Sequence, residues 1–394
     1  KSLTYPHRKT TLFHEEPNFH DMKNFHIKLF NGHEGFACID LQWERLVKQM
    51  TQHHFYHLKE WYASYLEALE LNPNEIVFCI VYESENPVAI LPLKRKNHTV
   101  SGLKIRTLEL PRHNHMHLRD ILICDAVATE LTAADFVDLL RQSKDLRWDA
   151  LTLLHCPENS CAHRAFTLKS PPLSLCMRRF GSSYAAVQPW EQFIITLSKS
   201  FRQNLRTAHN RAVAIGDLRI EVANTPQLLD TALSDFLDIE ASGWKGEGGT
   251  AIKQDKQLAG FYKNLTQKFA PFGGCEIHIL KIADKAVAGL FLLIADKTVY
   301  IPKLGYKEEF SRISPVHLLL ENLFKLCHEK GMTEINLTSD AAWFNVWKPQ
   351  TIDVHNIYLF NRTLRGMIIG LAMRLTKDGS YLRNILHWFA RKAR

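Results

Sequence analysis

Between residues 42 and 71 the aromatic and aliphatic side chains fall mostly three and four apart: Trp43, Leu46, Phe55, Leu58, Trp61, Tyr62, Tyr65 and Leu69. That spacing collects them on one helical face, so the stretch is expected to be a helix. The pattern then changes. Glu75-Ile76-Val77-Phe78-Cys79-Ile80-Val81-Tyr82 is a run of β-favouring residues, 83–86 is polar, and Pro87-Val88-Ala89-Ile90-Leu91-Pro92-Leu93 returns. Two apolar runs around a short polar tip predict a hairpin. The same figure recurs about 190 residues later. Glu276-Ile277-His278-Ile279-Leu280-Lys281-Ile282 turns at Ala283-Asp284-Lys285 and comes back through Ala286-Val287-Ala288-Gly289-Leu290-Phe291.

Each hairpin is followed by another strand candidate, 104–110 in the first copy and 298–304 in the second. Each copy then offers a helix leading into a strand: 133–145 into 149–154, and 315–330 into 334–337. A repeated order of elements predicts two similar α/β lobes. Between them, 198–216 carries Arg202, Arg206 and Arg211 on a helical stretch that Gly216 should end. Residues 1–35 lack a clear period and are expected to be an irregular arm. The divisions are thus arm 1–35, first lobe 36–190, second lobe 191–360 and a basic, amphipathic, helical C-terminal tail 361–394.

Composition narrows the class. With 394 residues, 46% hydrophobic and 23% charged, the chain is neither disordered nor a fibrous rod. The eight cysteines are scattered without a CxxC pair, which fits buried thiols in a reducing cytoplasm better than zinc or disulfides. The most lipid-like run, Gly366 to Met373, is under half of the about 20 residues that span a bilayer, so a soluble protein is expected. A net charge of +8 points to anionic partners.

Candidate chemistry concentrates in 296–331. The run Val299-Tyr300-Ile301-Pro302-Lys303-Leu304 enters a polar loop, and Ser314-Pro315 opens a long amphipathic helix. Serine before a proline at the first helical position is a start signal. The N–H groups and dipole of such a helix end attract phosphate, and Lys307 and Arg312 lie just upstream.

This order of elements, with Glu240-Ala241-Ser242-Gly243-Trp244-Lys245-Gly246, Lys303-Leu304-Gly305-Tyr306, Arg312-Ile313-Ser314-Pro315 and Trp347-Lys348-Pro349, resembles the GNAT superfamily of acyltransferases. More narrowly it resembles the tandem-GNAT branch related to cellulose-biosynthesis-associated acetyltransferase-like proteins, and distantly the Fem-type peptidyltransferases. The resemblance follows the elements of residues 40–360, with its motifs in 200–350. One feature departs from it: the usual phosphate loop, an Arg or Gln followed by Gly-x-Gly or Gly-x-Ala, is replaced by Ser311-Arg312-Ile313-Ser314-Pro315.

The resemblance implies two GNAT-like lobes of mixed sheet flanked by helices. It implies acetyl-CoA or another acyl-CoA as co-substrate, no metal, and transfer to an amine or hydroxyl of a sugar, envelope precursor or small metabolite. Leu304, Gly305, Tyr306, Arg312 and Ser314 would hold the cofactor. Acyl transfer also needs a base and a polarised carbonyl. Glu240 is the candidate base, with Lys303 and Asp340 as further catalytic candidates. Trp244 and Lys245, inside the glycine-rich stretch, suit a lid that contacts substrate, Trp by stacking and Lys by charge. His115 and Asp120 are assigned to a polar loop lining the cleft. The histidines 113, 115 and 117, with Asp120 near them, and 53, 54 and 57 could share faces, but a stable metal site usually adds a carboxylate or thiolate, and 20 histidines make such clusters common by chance, so no metal is expected. Fem-type relatives imply the alternative of an aminoacyl-tRNA donor on the basic helix, and a non-catalytic binding descendant is a third reading. The basic tail also suits an anionic membrane surface, which would make the protein peripheral to the inner face. No motif for reading specific DNA is present.

Overall fold

The structure is a computed structural model and describes residues 25–100, 102–168, 173–242 and 251–375. Thirteen strands form one sheet: β1 (Phe25–Asn31), β2 (Ile76–Glu83), β3 (Asn86–Val100), β4 (Leu103–Glu109), β5 (Leu122–Ile123), β6 (Ala150–Pro157), β7 (Ser174–Ala186), β8 (Leu218–Ala223), β9 (Cys275–Ile282), β10 (Lys285–Ala295), β11 (Thr298–Tyr306), β12 (Glu334–Asn336) and β13 (Gln350–Phe360). Both expected hairpins form, as β2–β3 and β9–β10. Ala283 and Asp284 turn the second with φ of 46° and 64°, the left-handed pair that matches strand twist in a two-residue turn. Residues 76–81 of β2 are wholly buried, as a continuous apolar run covered on both faces should be.

The lobes share that sheet rather than owning one each. Its order is β1-β2-β3-β4-β6-β13-β7-β12-β11-β10-β9-β8, with β5 beside β3. Read from either end it is the same: four antiparallel strands, a parallel neighbour (β6 on β4, β12 on β11), then a strand contributed by the other half. β13 follows β12 in the chain but lies on β6, and β7 follows β6 but lies on β12; the two pair antiparallel at the centre, from Gln350↔Tyr184 to Leu359↔Ser174. The exchange places each half's parallel strand beside its partner's last strand, and so fuses the halves.

Two expectations need correction. Residues 25–31 are not part of an irregular arm but edge strand β1, from Phe25↔Glu83 to Asn31↔Val77. Its residues are mostly half-buried on both faces, so no clean alternation marked it. The helix expected over 42–71 is two, Asp40–Lys48 and Lys59–Ala68. Between them Asp125 captures the Thr51 N–H, the Trp43 indole donates to the His57 carbonyl (2.8 Å), and His57 Nδ1 accepts from the His54 N–H (3.1 Å). These tertiary partners replace intrahelical bonds.

Helices form where capping was legible. Lys199–Ile215 starts at Ser198, whose hydroxyl accepts from Phe201 N–H, and ends at Gly216. Pro226–Ala241 and Lys256–Phe269, from the second half, pack into the first half's core, where Trp61 meets Phe261 edge to face at 5.2 Å, and Tyr300 of β11 joins them against Phe55 at 4.8 Å. The helix Leu364–Leu375 leaves Leu364, Met367, Ile368 and Leu371 exposed while Ile369 and Met373 are buried. The rest of the expected tail, 376–394, lies outside the described residues. Among the described residues no helix is long and apolar enough to cross a membrane.

Candidate active site

β11 and β12 pair only over Thr298–Tyr300 and Glu334–Asn336. β11 runs on to Tyr306, whereas the chain after β12 turns at Thr338 (φ 57°), whose N–H is taken by Asn336 Oδ1 at 2.8 Å. The strands therefore part, and the edge of β11 beyond Tyr300 faces an opening. Leu304, Gly305 and Tyr306 lie along that stretch, and the helix Pro315–Glu329 begins beyond its end. A Cβ on Gly305 would sit 3.3 Å from the Glu240 Cα, so this glycine lets the helix Pro226–Ala241 cross β11 closely.

Ser314 does precede the helix, with Pro315 first, but it does not cap in the expected way. It is left-handed (φ 48°, ψ 54°) and its hydroxyl makes no cap bond; its carbonyl accepts from His317 N–H at 2.9 Å. The chain has to reverse sharply out of the short helix Glu308–Ile313, which forces that conformation. Arg312 is exposed, and its carbonyl accepts from Arg211 Nη1 at 3.2 Å. Trp347 braces the helix start by donating its indole N–H to His317 Nδ1 at 3.0 Å. The residues expected to hold a cofactor are thus gathered on one strand end and one helix start.

A second group faces the middle of the sheet. Lys303 on β11 lies close enough to His113 and His117 to help depress both imidazoles, after the larger effect of burial and, at His113, against the opposing pull of Asp255. His117 is pushed down to about 4 by burial, Lys303 and Arg119. His155 on β6 is pushed down to about 2, by burial first and then by Arg119, His117, Arg179 and Arg112. It stands at φ 63°, a strained setting for a non-glycine residue, with its N–H on Asn356 Oδ1 (3.1 Å) and its ring edge-on to Phe180 (5.1 Å). Arg119 is 4% exposed. Its Nη2 donates to the Met116 carbonyl at 3.0 Å, while Nε and Nη1 have no hydrogen-bond partner among the described residues. Burial, then Arg112, lowers its guanidinium to about 10. Glu109 lies 3.7 Å from Arg112, its own carboxyl raised by burial. Cations thus outnumber anions around three neutral imidazoles. Chemically, the cluster can bind an anionic group and share a proton with it.

The other expected residues are placed as follows. Glu240 is 4% exposed at the end of its helix, and Oε2 accepts from Ile252 N–H at 2.9 Å, across the glycine-rich stretch. Trp244 and Lys245 lie outside the described residues. His115 meets the Tyr262 phenol through Nδ1 at 3.0 Å, and Glu240 is close enough to help burial raise that phenol. Asp120 does not line a cleft: it is 0% exposed, and its carboxylate accepts from Ile121, Cys161 and Ala162 N–H and from His57 Nε2 (3.0 Å). With its lone pairs so occupied it pins the helix Cys161–Leu168 to the 54–57 turn and has none to offer a substrate. Asp340 is exposed and accepts from Gly181 N–H of β7 at 3.1 Å. Arg119, His155 and Arg179 were not anticipated. Only Arg119 carried a signal, its place beside the 113–117 histidines.

Residues 199–347 match the family model described as an acetyltransferase (GNAT) domain. The fold is shared more widely. A crystal structure of FemX aligns at a TM-score of 0.56 and 12% identity, over 84% of this chain and 98% of that one. A conserved protein of unknown function from Bacteroides thetaiotaomicron aligns at 0.51 and 14%, over 83% and 97%. A domain assigned to a lysylphosphatidylglycerol synthetase from Agrobacterium fabrum aligns at 0.50 and 11%, over 86% and 96%. No curated protein matches the sequence. Residues 199–347 are thus similar to a GNAT-type acetyltransferase domain, and the chain shares the fold of these structures.

Proposed function

We propose that the protein is an acyltransferase that takes an acyl group, acetyl first among them, from acyl-CoA and passes it to an amine or hydroxyl of an acceptor bearing an anionic group. The observation that carries this reading is the parting of β11 from β12 beneath a helix start, inside the segment that matches the acetyltransferase model. The edge of β11 that β12 leaves uncovered suits the amide-bearing arm of coenzyme A, and the start of Pro315–Glu329, with exposed Arg312, suits its pyrophosphate. The site's residues fit that group: the chain has open backbone where the arm would run and positive charge where the phosphates would rest.

The acceptor's anionic group would lie against Lys303, His117, His155 and Arg119. Glu240, held by the Ile252 N–H, would take the proton lost as the nucleophile attacks the thioester, directly or through one water. The thiolate regains a proton as it leaves. His115 and Tyr262 stand close to that carboxylate and would orient the acceptor.

An aminoacyl-tRNA donor is the second reading. It is favoured by the helix Lys199–Ile215, which carries Lys199, Arg202, Arg206 and Arg211 and no acidic residue, beside the same opening. Calorimetric titration with acetyl-CoA, with and without Arg312→Ala, separates the two. Micromolar binding that the substitution weakens at least tenfold supports the CoA site. Binding unchanged by the substitution overturns that placement, and no binding at all moves the tRNA-linked donor ahead.

A further inference from the structure

On the first half's helical side of the seam between β7 and β13, His163, Cys176 and His355 bring one ligand atom each to within 4.8 Å of the others. They come from three elements: His163 from the helix Cys161–Leu168, Cys176 from β7 and His355 from β13. Among the described residues this is the one group of three metal-ligating side chains so placed. It is separate from the histidines of the acceptor site and from the sequence clusters at 53–57 and 113–117.

We propose that these three residues form a site for a borderline divalent cation, Zn²⁺ first, with water or a carboxylate completing the shell. Two imidazoles and a thiolate are the ligand types that such an ion takes. Metal–ligand bonds of about 2.0–2.3 Å put tetrahedral neighbours about 3.3–3.6 Å apart, so side-chain rotation of about an ångström closes the present spacing. Three further observations agree. The His163 and His355 rings lie 4.5 Å apart, tilted by 37°, rather than in a close stack. Nδ1 of His355 is buried with no hydrogen-bond partner among the described residues, a cost that coordination would remove. The Glu158 backbone lies close enough to the His163 imidazole to favour a proton on it, the kind of support a ligating histidine usually receives. The Glu158 carboxylate is exposed and close enough to act on His163 electrostatically, whereas Asp120, which also acts on it, is taken up by four hydrogen bonds, so Glu158 is the acidic group for the fourth position.

The chemistry is balanced by one proton. The Cys176 thiol, raised by partial burial, loses its proton to solvent as sulfur binds the cation, and both imidazoles bind neutral. Burial and His355 already lower His163, so it needs no deprotonation near neutral pH. Cys176 is exposed, which gives the ion a way in. A bound ion would clip a first-half helix to the two exchanged strands.

The test is titration of the full, chelator-treated chain with Co²⁺ and then Zn²⁺. One equivalent of Co²⁺ should give thiolate charge-transfer and tetrahedral d–d absorption, which one equivalent of Zn²⁺ displaces, and binding should tighten as pH rises. Cys176→Ser should abolish the charge-transfer band, and His163→Ala and His355→Ala should each weaken binding at least tenfold. Cys38→Ser, at the other exposed cysteine, should change neither. Zn²⁺ should also raise the melting temperature of the native chain but not of Cys176→Ser. Circular dichroism confirms that each variant is folded. Absence of the thiolate band, or binding that persists in Cys176→Ser and is lost instead in His113→Ala/His117→Ala, overturns the proposal.

Discussion

Arg119 donates its backbone N–H to the carbonyl of His155 at 3.1 Å, and its buried guanidinium helps hold the imidazole of that same residue neutral. The pair joins the loop after β4 to the bulged end of β6, and it sets the electrostatics of the acceptor side. Charge and strain are concentrated where no structural need for them is visible. That is the pattern expected of a site that awaits an anion.

Stability should fall in mild acid. His54, His117 and His155 are held down at about 3, 4 and 2, each chiefly by burial, against an ordinary value of 6.5. Below pH 6.5 the unfolded chain takes up protons that the folded chain refuses. The stabilisation is therefore complete above 6.5 and is lost as pH falls from there toward the folded values. By pH 4.5 each histidine should cost about 2–3 kcal/mol. Urea unfolding from pH 7.5 to 4.5 measures this, and His117→Gln should flatten the slope by one histidine's share. A midpoint constant across that range would contradict the assignment.

Arg119→Met should separate stability from function. Two buried donors without partners cost about 1–3 kcal/mol each, and methionine fills similar volume without them, so the melting temperature should hold or rise. Acceptor-dependent kcat/KM should drop at least tenfold while acyl-CoA affinity stays the same. Equal losses for donor and acceptor would mean that Arg119 serves the fold.

Glu240→Gln should lower kcat by about 10²-fold or more, the usual contribution of a positioned base, and leave acyl-CoA affinity intact. The amide keeps an oxygen for the Ile252 N–H, so the loop end stays anchored. If turnover survives in Glu240→Gln but falls in Glu240→Ala, the carboxylate acts as an anchor and the base is elsewhere.

Local signals were strong enough to fix many elements in advance. Apolar runs around charged tips marked β2–β3 and β9–β10, and Ser198 and Gly216 marked the ends of the helix between them. Ser314-Pro315 marked the start of the last long helix of the second half, although Ser314 turned out left-handed, a choice imposed by the preceding short helix rather than by its own side chain. The candidate site was legible in part. Lys303, Gly305 and Arg312 fall on the strand end and helix start that frame the opening, because a strand followed by a capped helix puts them there whatever surrounds them.

Other features depend on partners far away in the chain. Asp120 stood out in a polar loop, yet four hydrogen bonds to residues 57, 121, 161 and 162 make it a buried anchor. The break in the helix expected over 42–71 needs Asp125, and the strain at His155 needs Asn356, 201 positions away. The sequence by itself determined the two repeated series of strands and helices, since hydrophobic period and capping act over a few residues. Only the tertiary structure decided that β7 and β13 change places and weld one sheet. The same pairing puts Lys303 beside the 113–117 histidines. Strand pairing depends on backbone hydrogen bonds that every sequence can make, so the choice of partner is settled by how the two halves pack.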